Sequence, residues 1–158
     1  MKMKKKRGKP PLLWPKPKHA KKGWRSILEG IPKNSSSLSQ AYQLTQRASQ
    51  VGFDWPNIEG VLKKMDEEMG ELREALSLQN KKKIREEMGD LLFVLANVSR
   101  FLQINPEEAL KKTIDKFVSR FHYIETSLHR QGKSFHQSHL CEMDQLWEES
   151  KKSGRNLY

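Results

Sequence analysis

Two acidic stretches of the chain are near-copies, EEMGEL at 67–72 and EEMGDL at 86–91. In each, a glutamate precedes a second acid by three residues: Glu68 with Glu71, and Glu87 with Asp90. On a helix, residues three apart share a face, with Cβ atoms about 5–6 Å apart. If the two helices pair as a hairpin, the two acidic pairs face each other. Four carboxylates converging there would repel, and some would take up protons unless a cation intervened. A ligand set of oxygens without Cys or His suits a hard divalent cation, Mg2+ with Mn2+ as substitute, rather than zinc. Gly70 and Gly89 lie beside the pairs, at about 1 kcal/mol each against alanine in a helix interior. They point either to a close approach to the backbone or to an ordinary helix crossing.

The elements that must position these acids read as helices throughout, with no convincing strand. NSSSLSQ offers N-caps for a helix that runs to about residue 50 and breaks at Gly52. WPN at 55–57 starts the second, with Pro56 suited to its first turn. Its apolar positions, Ile58, Val61, Leu62, Met65, Met69, Leu72, Ala75 and Leu76, follow the helical period. After the joint SLQNKKK, a third helix is expected to bury Ile84, Met88, Leu91, Leu92, Leu95, Val98 and Leu102. Glu68 and Glu87 each stand three residues after one stripe position and four before another, so both acidic pairs are expected at the margin of an apolar stripe. NPEE at 105–108 caps a fourth helix with Leu110, Ile114, Phe117, Phe121, Ile124 and Leu128 on one side, stopped at Gly132. A last amphipathic stretch spans about 138–151. Long amphipathic helices with short joints predict an all-α, antiparallel helical bundle. The bland alternative for the acids is a solvated helix face; two matching pairs on adjacent helices weigh against it. A ferritin-like di-iron bundle would need Glu-x-x-His on two helices, and no histidine stands three residues after a glutamate.

Charge divides the chain. Of 30 Lys/Arg and 19 acids in 158 residues, twelve and one fall before residue 34, so residues 34–158 are neutral overall. The expected organisation is a basic, Lys- and Pro-rich segment over 1–33, largely disordered or linker-like, a helical domain over 34–152 and a tail over 153–158. Residues 1–23 could contact nucleic acid through counterion release, or be a solvated leader. The single Cys141 excludes an intramolecular disulfide and a Cys-based zinc site. With no membrane-length apolar run and no secretion signal, the expected location is the cytoplasm.

EExxE at Glu67, Glu68 and Glu71, a fifteen-residue gap, then ExxD at Glu87 and Asp90, resembles the signature of the MazG-type all-α nucleoside triphosphate pyrophosphohydrolases. RASQVGFDW (47–55), REEMGDLLFVLANVSRFL (85–102), NPEEALKKTIDKFVSRF (105–121) and DQLWEESKK (144–152) are similar to the second, catalytically active domain of that family. The resemblance covers about residues 30–152. It implies a dimerising helical bundle, a tetramer being the alternative, that hydrolyses nucleoside triphosphates to monophosphate and pyrophosphate with Mg2+. By position it implies Glu68, Glu71, Glu87 and Asp90 as metal ligands and Lys116 and Arg120 as phosphate contacts. Trp147 would lie near the nucleotide, and Asn97 and Arg100 would bind substrate. Glu67 is then a water-orienting base or a surface acid. For Trp147 a place in the core competes with base stacking. Family proteins carry two such domains where this chain has room for one, and RSILEGIPKN (25–34) resembles the linker between them. Two other functions compete: a nucleic-acid-binding helical module using the basic segment, and an interaction protein that keeps the bundle without turnover.

Overall fold

The computed structural model describes residues 25–153, and everything described is helix, turn or loop. Five helices follow one another: α1 (Ser37–Gln50), α2 (Ile58–Ser77), α3 (Lys81–Phe101), α4 (Pro106–Arg130) and α5 (Leu140–Ser153). Caps written in the sequence set their starts. Ser36, Asn57, Asn80 and Asn105 each turn a side-chain oxygen onto free N–H groups of the first helical turn. Pro56 is therefore not in the first turn of α2. It stands one residue before the cap, because Asn57 supplies the acceptor that a proline lacks.

Helix ends follow one device. Gly52, Gln79, Gln103 and Gly132 all sit at positive φ just beyond a helix. The next N–H then reaches back to a carbonyl of the last turn, as from Asn80 to Ala75 and from Ile104 to Ser99. The two glycines announce this in the sequence, but the two glutamines do not. Such sharp ends let α2 and α3 pair as a hairpin with only residues 78–80 between them.

α3 is the central element, packing along both α1 and α2, while α4 packs chiefly on α5 and touches α1 and α3 more lightly. The α4–α5 hairpin has its own core of Ile124, Leu128 and Leu146, with Tyr123, Phe135, Met143 and Trp147 against it.

The buried face of α3 differs from the expected stripe. Met88, Leu92, Leu95 and Leu102 are exposed, whereas Glu87, Leu91, Val94, Ala96 and Asn97 are buried. On α2 the buried set is Val61, Glu68, Leu72 and Ala75. Glu68 and Glu87 thus lie within the buried faces rather than at their margin, whereas Asp90 is exposed. Leu110, Ile114, Phe117 and Phe121 of α4 are also exposed, because the core that α4 shares with α5 begins only at Tyr123.

The described residues begin ahead of α1. Residues 25–33 form turns tied to α1 by Arg47, whose guanidinium donates to the Ile27 and Glu29 carbonyls. Residues 1–24 and the tail beyond 153 lie outside the described residues, and with them the nucleic-acid reading of the basic segment.

Candidate active site

Because α2 and α3 run as a hairpin, Glu68 and Glu71 face Glu87 across the pair. Carboxylate oxygens of these three lie within 4.8 Å of one another. Glu68 and Glu87 are only 5% and 3% exposed, so two of the three carboxylates are withdrawn from water. A buried carboxylate needs a counter-charge, and each obtains one from its own helix, four residues upstream. Lys64 Nζ is 2.6 Å from Glu68 Oε1, and Lys83 Nζ is 2.7 Å from Glu87 Oε1.

Titration follows from this arrangement. The Lys83 hydrogen bond holds Glu87 below its ordinary range, against the opposing effect of burial. Glu71 lacks a lysine of its own and is pushed up, first by the Glu87 charge, then by desolvation and Glu68. Lys64 is raised chiefly by its bond to Glu67 and then by that to Glu68, and Lys83 by its bond to Glu87. The cluster is two neutralised carboxylates and a third with excess negative charge, a donor set of oxygens suited to a hard divalent cation.

Not every expected residue joins it. Asp90 lies one turn beyond Glu87 on α3, is exposed, and stands outside the 4.8 Å cluster. Glu67 is exposed and bonds Lys64 at 2.9 Å, so Lys64 bridges Glu67 and Glu68. Gly70 and Gly89 have nothing within 4 Å of where a Cβ would stand, so no part of the described chain demands a glycine there.

Lys116, Arg120 and Trp147 belong to the α4–α5 hairpin. Trp147 packs against that hairpin's core with its ring 5.4 Å from that of Phe117, and the Arg120 guanidinium lies over it at 5.5 Å. Asn97 and Arg100 sit in a cavity of about 920 Å³ between the 25–28 turn, α1, the 51–55 loop and α3. Arg100 donates to Asn97 Oδ1 at 2.8 Å and holds Asp54 through two bonds of 2.9 and 2.6 Å. Trp55, another wall of the cavity, is seated on the first turn of α2, where a Cβ on Gly60 would come within 2.6 Å of its ring.

Sequence reasoning missed Lys64, Lys83 and Asp54. The lysines had a signal, since each stands at i−4 from a buried acid on the same helix. Asp54 had none, being 46 residues from Arg100.

Residues 57–124 match the family model of the MazG nucleotide pyrophosphohydrolase domain. The chain is 43% identical over 115 residues to the nucleoside triphosphate pyrophosphohydrolase/pyrophosphatase MazG of Thermotoga maritima, covering 73% of this chain and 44% of that protein. It is 35% identical over 142 residues to the nucleoside triphosphate pyrophosphohydrolase of Escherichia coli K12, covering 87% of this chain and 53% of that one. A Bacillus subtilis protein, uncharacterized protein YabN, is 47% identical over 72 residues, which are 46% of this chain and 15% of that protein. The chain thus spans about half the length of the first two relatives. With an all-α fold, paired acidic helices and these matches, the chain belongs to the MazG family.

Proposed function

We propose that the chain hydrolyses nucleoside triphosphates to the monophosphate and pyrophosphate with Mg2+ as cofactor, Mn2+ serving as substitute. The observation that carries this reading is the Glu68–Glu71–Glu87 cluster, whose excess charge at Glu71 is what a divalent cation would relieve. Glu68, Glu71 and Glu87 would hold it, with Asp90 one turn on as a fourth ligand. A cation bound there supplies charge neutralisation on the phosphates and lowers the pKa of a water.

The protein's own groups supply the rest. Lys64 and Lys83 pair with the buried carboxylates and, once released from them, would meet the phosphate oxygens. Lys116 and Arg120, i and i+4 on α4, add positive charge for the same polyphosphate, and Trp147 beneath Arg120 fixes its guanidinium. Glu67, held by Lys64, acts as a surface partner of that lysine rather than as a base. The cavity at Asn97 receives the nucleoside. The apolar faces left open on α3 and α4 support a homodimer. Among the described residues no helix is long and apolar enough to cross a membrane. The exposed thiol of Cys141 fits a reducing, cytoplasmic setting.

Pyrophosphate release from a nucleotide panel, with Mg2+ and with chelator, tests the reading. Activity should require the cation and fall about a hundredfold or more in Glu71→Gln. Unchanged turnover in that variant would remove the cluster from the chemistry.

A further inference from the structure

We propose that Glu67 is a positioning residue for cation binding, the second seat onto which Lys64 turns when Glu68 gives its oxygens to a divalent cation. The inference rests on the cation reading above and assigns a role to an acid that stands outside the carboxylate cluster.

Lys64 holds two carboxylates at once. Its Nζ lies 2.9 Å from Glu67 Oε1 and 2.6 Å from Glu68 Oε1. The two acids are alike in charge and unlike in setting, the Glu68 side chain being 7% exposed and that of Glu67 55%. An ammonium carries three donors on a flexible stem, so it can serve both and keep one after losing the other.

The other half of the site is built differently. Glu86 stands in EEMGDL where Glu67 stands in EEMGEL. Lys83 pairs with Glu87 at 2.7 Å, whereas Glu86 is met by Lys82, loosely, at 3.8 Å. The repeated sequence therefore provides a lysine shared between neighbouring acids on α2 and two separate pairs on α3.

Charge decides what the second seat does. In the metal-free protein Lys64 is already neutralised by Glu68, and Glu67 adds little. Once Glu68 gives its oxygens to a cation, the ammonium is a like charge beside that cation and must move away. With Glu67 present it turns onto that carboxylate and stays neutralised. Without Glu67 it enters water as an uncompensated positive charge next to the site. Glu67 thus stabilises the loaded state more than the metal-free one, and favours cation entry without being a ligand. It also keeps the released ammonium close to where a polyphosphate would collect it.

Two other roles compete for Glu67, a general base and a surface charge that attracts the cation through space. The deciding readout is a double-mutant cycle of Mn2+ affinity, titrated calorimetrically on the metal-free full chain. Glu67→Ala should weaken Mn2+ binding about threefold, the size of an exposed ion pair on a helix. In a Lys64→Met background the same substitution should change it little. Attraction through space predicts the reverse, because Glu67 without its lysine carries an uncompensated charge whose loss costs more. A base predicts unchanged Mn2+ affinity and a fall in kcat of about a hundredfold or more. The proposal expects Glu67→Ala to act on KM for the triphosphate and to leave kcat nearly intact. Glu86→Ala, at the matching position of α3, should leave Mn2+ affinity unchanged. An equal or larger loss in the Lys64→Met background, or the same loss in Glu86→Ala, overturns the proposal. A wild-type protein that binds no Mn2+ removes the cation reading itself. Mn2+ bound without coupling between Lys64 and Glu67 removes only the role of Glu67.

Discussion

Lys83 Nζ stands 2.7 Å from Glu87 Oε1, one turn upstream of a carboxylate whose side chain is only 5% exposed. Lys64 has the same relation to Glu68 at 2.6 Å. The site thus carries its own counterions, on side chains long enough to leave when something better arrives. Lys83→Met should split the two binding steps. Mn2+ alone, titrated calorimetrically, should bind more tightly because a competing cation is gone. KM for the triphosphate should rise roughly tenfold, because a phosphate partner is gone too. Parallel changes in both would show that Lys83 only packs.

Glu71 gives the site a pH dependence whose direction is fixed. Its folded pKa lies above the ordinary carboxylate value because Glu87 repels its charge. Between the unfolded and folded values the folded state binds more protons, so the metal-free protein loses stability as pH rises through that window. Glu87, depressed by Lys83, works the other way: its stabilisation is present above the unfolded pKa and is lost as pH falls through the folded one. Glu71→Gln should therefore raise the melting temperature of the metal-free protein near neutral pH while abolishing metal binding. In the wild-type protein, metal affinity should fall as acid protonates Glu71. Calorimetric scans with and without Mn2+ across pH check both; a lower melting temperature in Glu71→Gln would contradict the repulsion.

The α4–α5 hairpin depends on its own small core. Leu128 is 2% exposed and packs in one cluster with Ile124 and Leu146. Leu128→Ala should cost about 2–5 kcal/mol in urea denaturation. The α2–α3 cluster is elsewhere in the bundle, so metal binding by the residual folded fraction should keep its affinity.

Leu110, Ile114 and Phe117 leave an apolar strip along the first half of α4, with Ile114 47% exposed. Covering by a second copy is the economical way to remove it from water. Ile114→Glu should convert the light-scattering mass from dimer to monomer with little change in helix content by circular dichroism. A monomeric wild-type protein would leave the strip without that explanation.

The sequence by itself determined what depends on neighbours within a helix. Glu68 and Glu71 share a face, Asn105 caps α4 and Gly132 ends it because spacing of three and four residues and local capping are properties of one helix. The two lysines at i−4 were equally local and equally readable. The family signature added the pairing of the two acidic stretches. Only the tertiary structure decided which stretch of each face is covered. It turned Glu87 and Asn97 inward and left Met88, Leu92 and Leu95 outside, because α1 and α2 approach α3 from directions that periodicity does not encode. It left Asp90 outside the carboxylate cluster one turn from Glu87, since axial position against the partner helix is set by the α2–α3 joint. The meeting of Asp54 with Arg100 belongs there too. A contact between a loop residue and a helix residue 46 positions away exists only once three helices have packed.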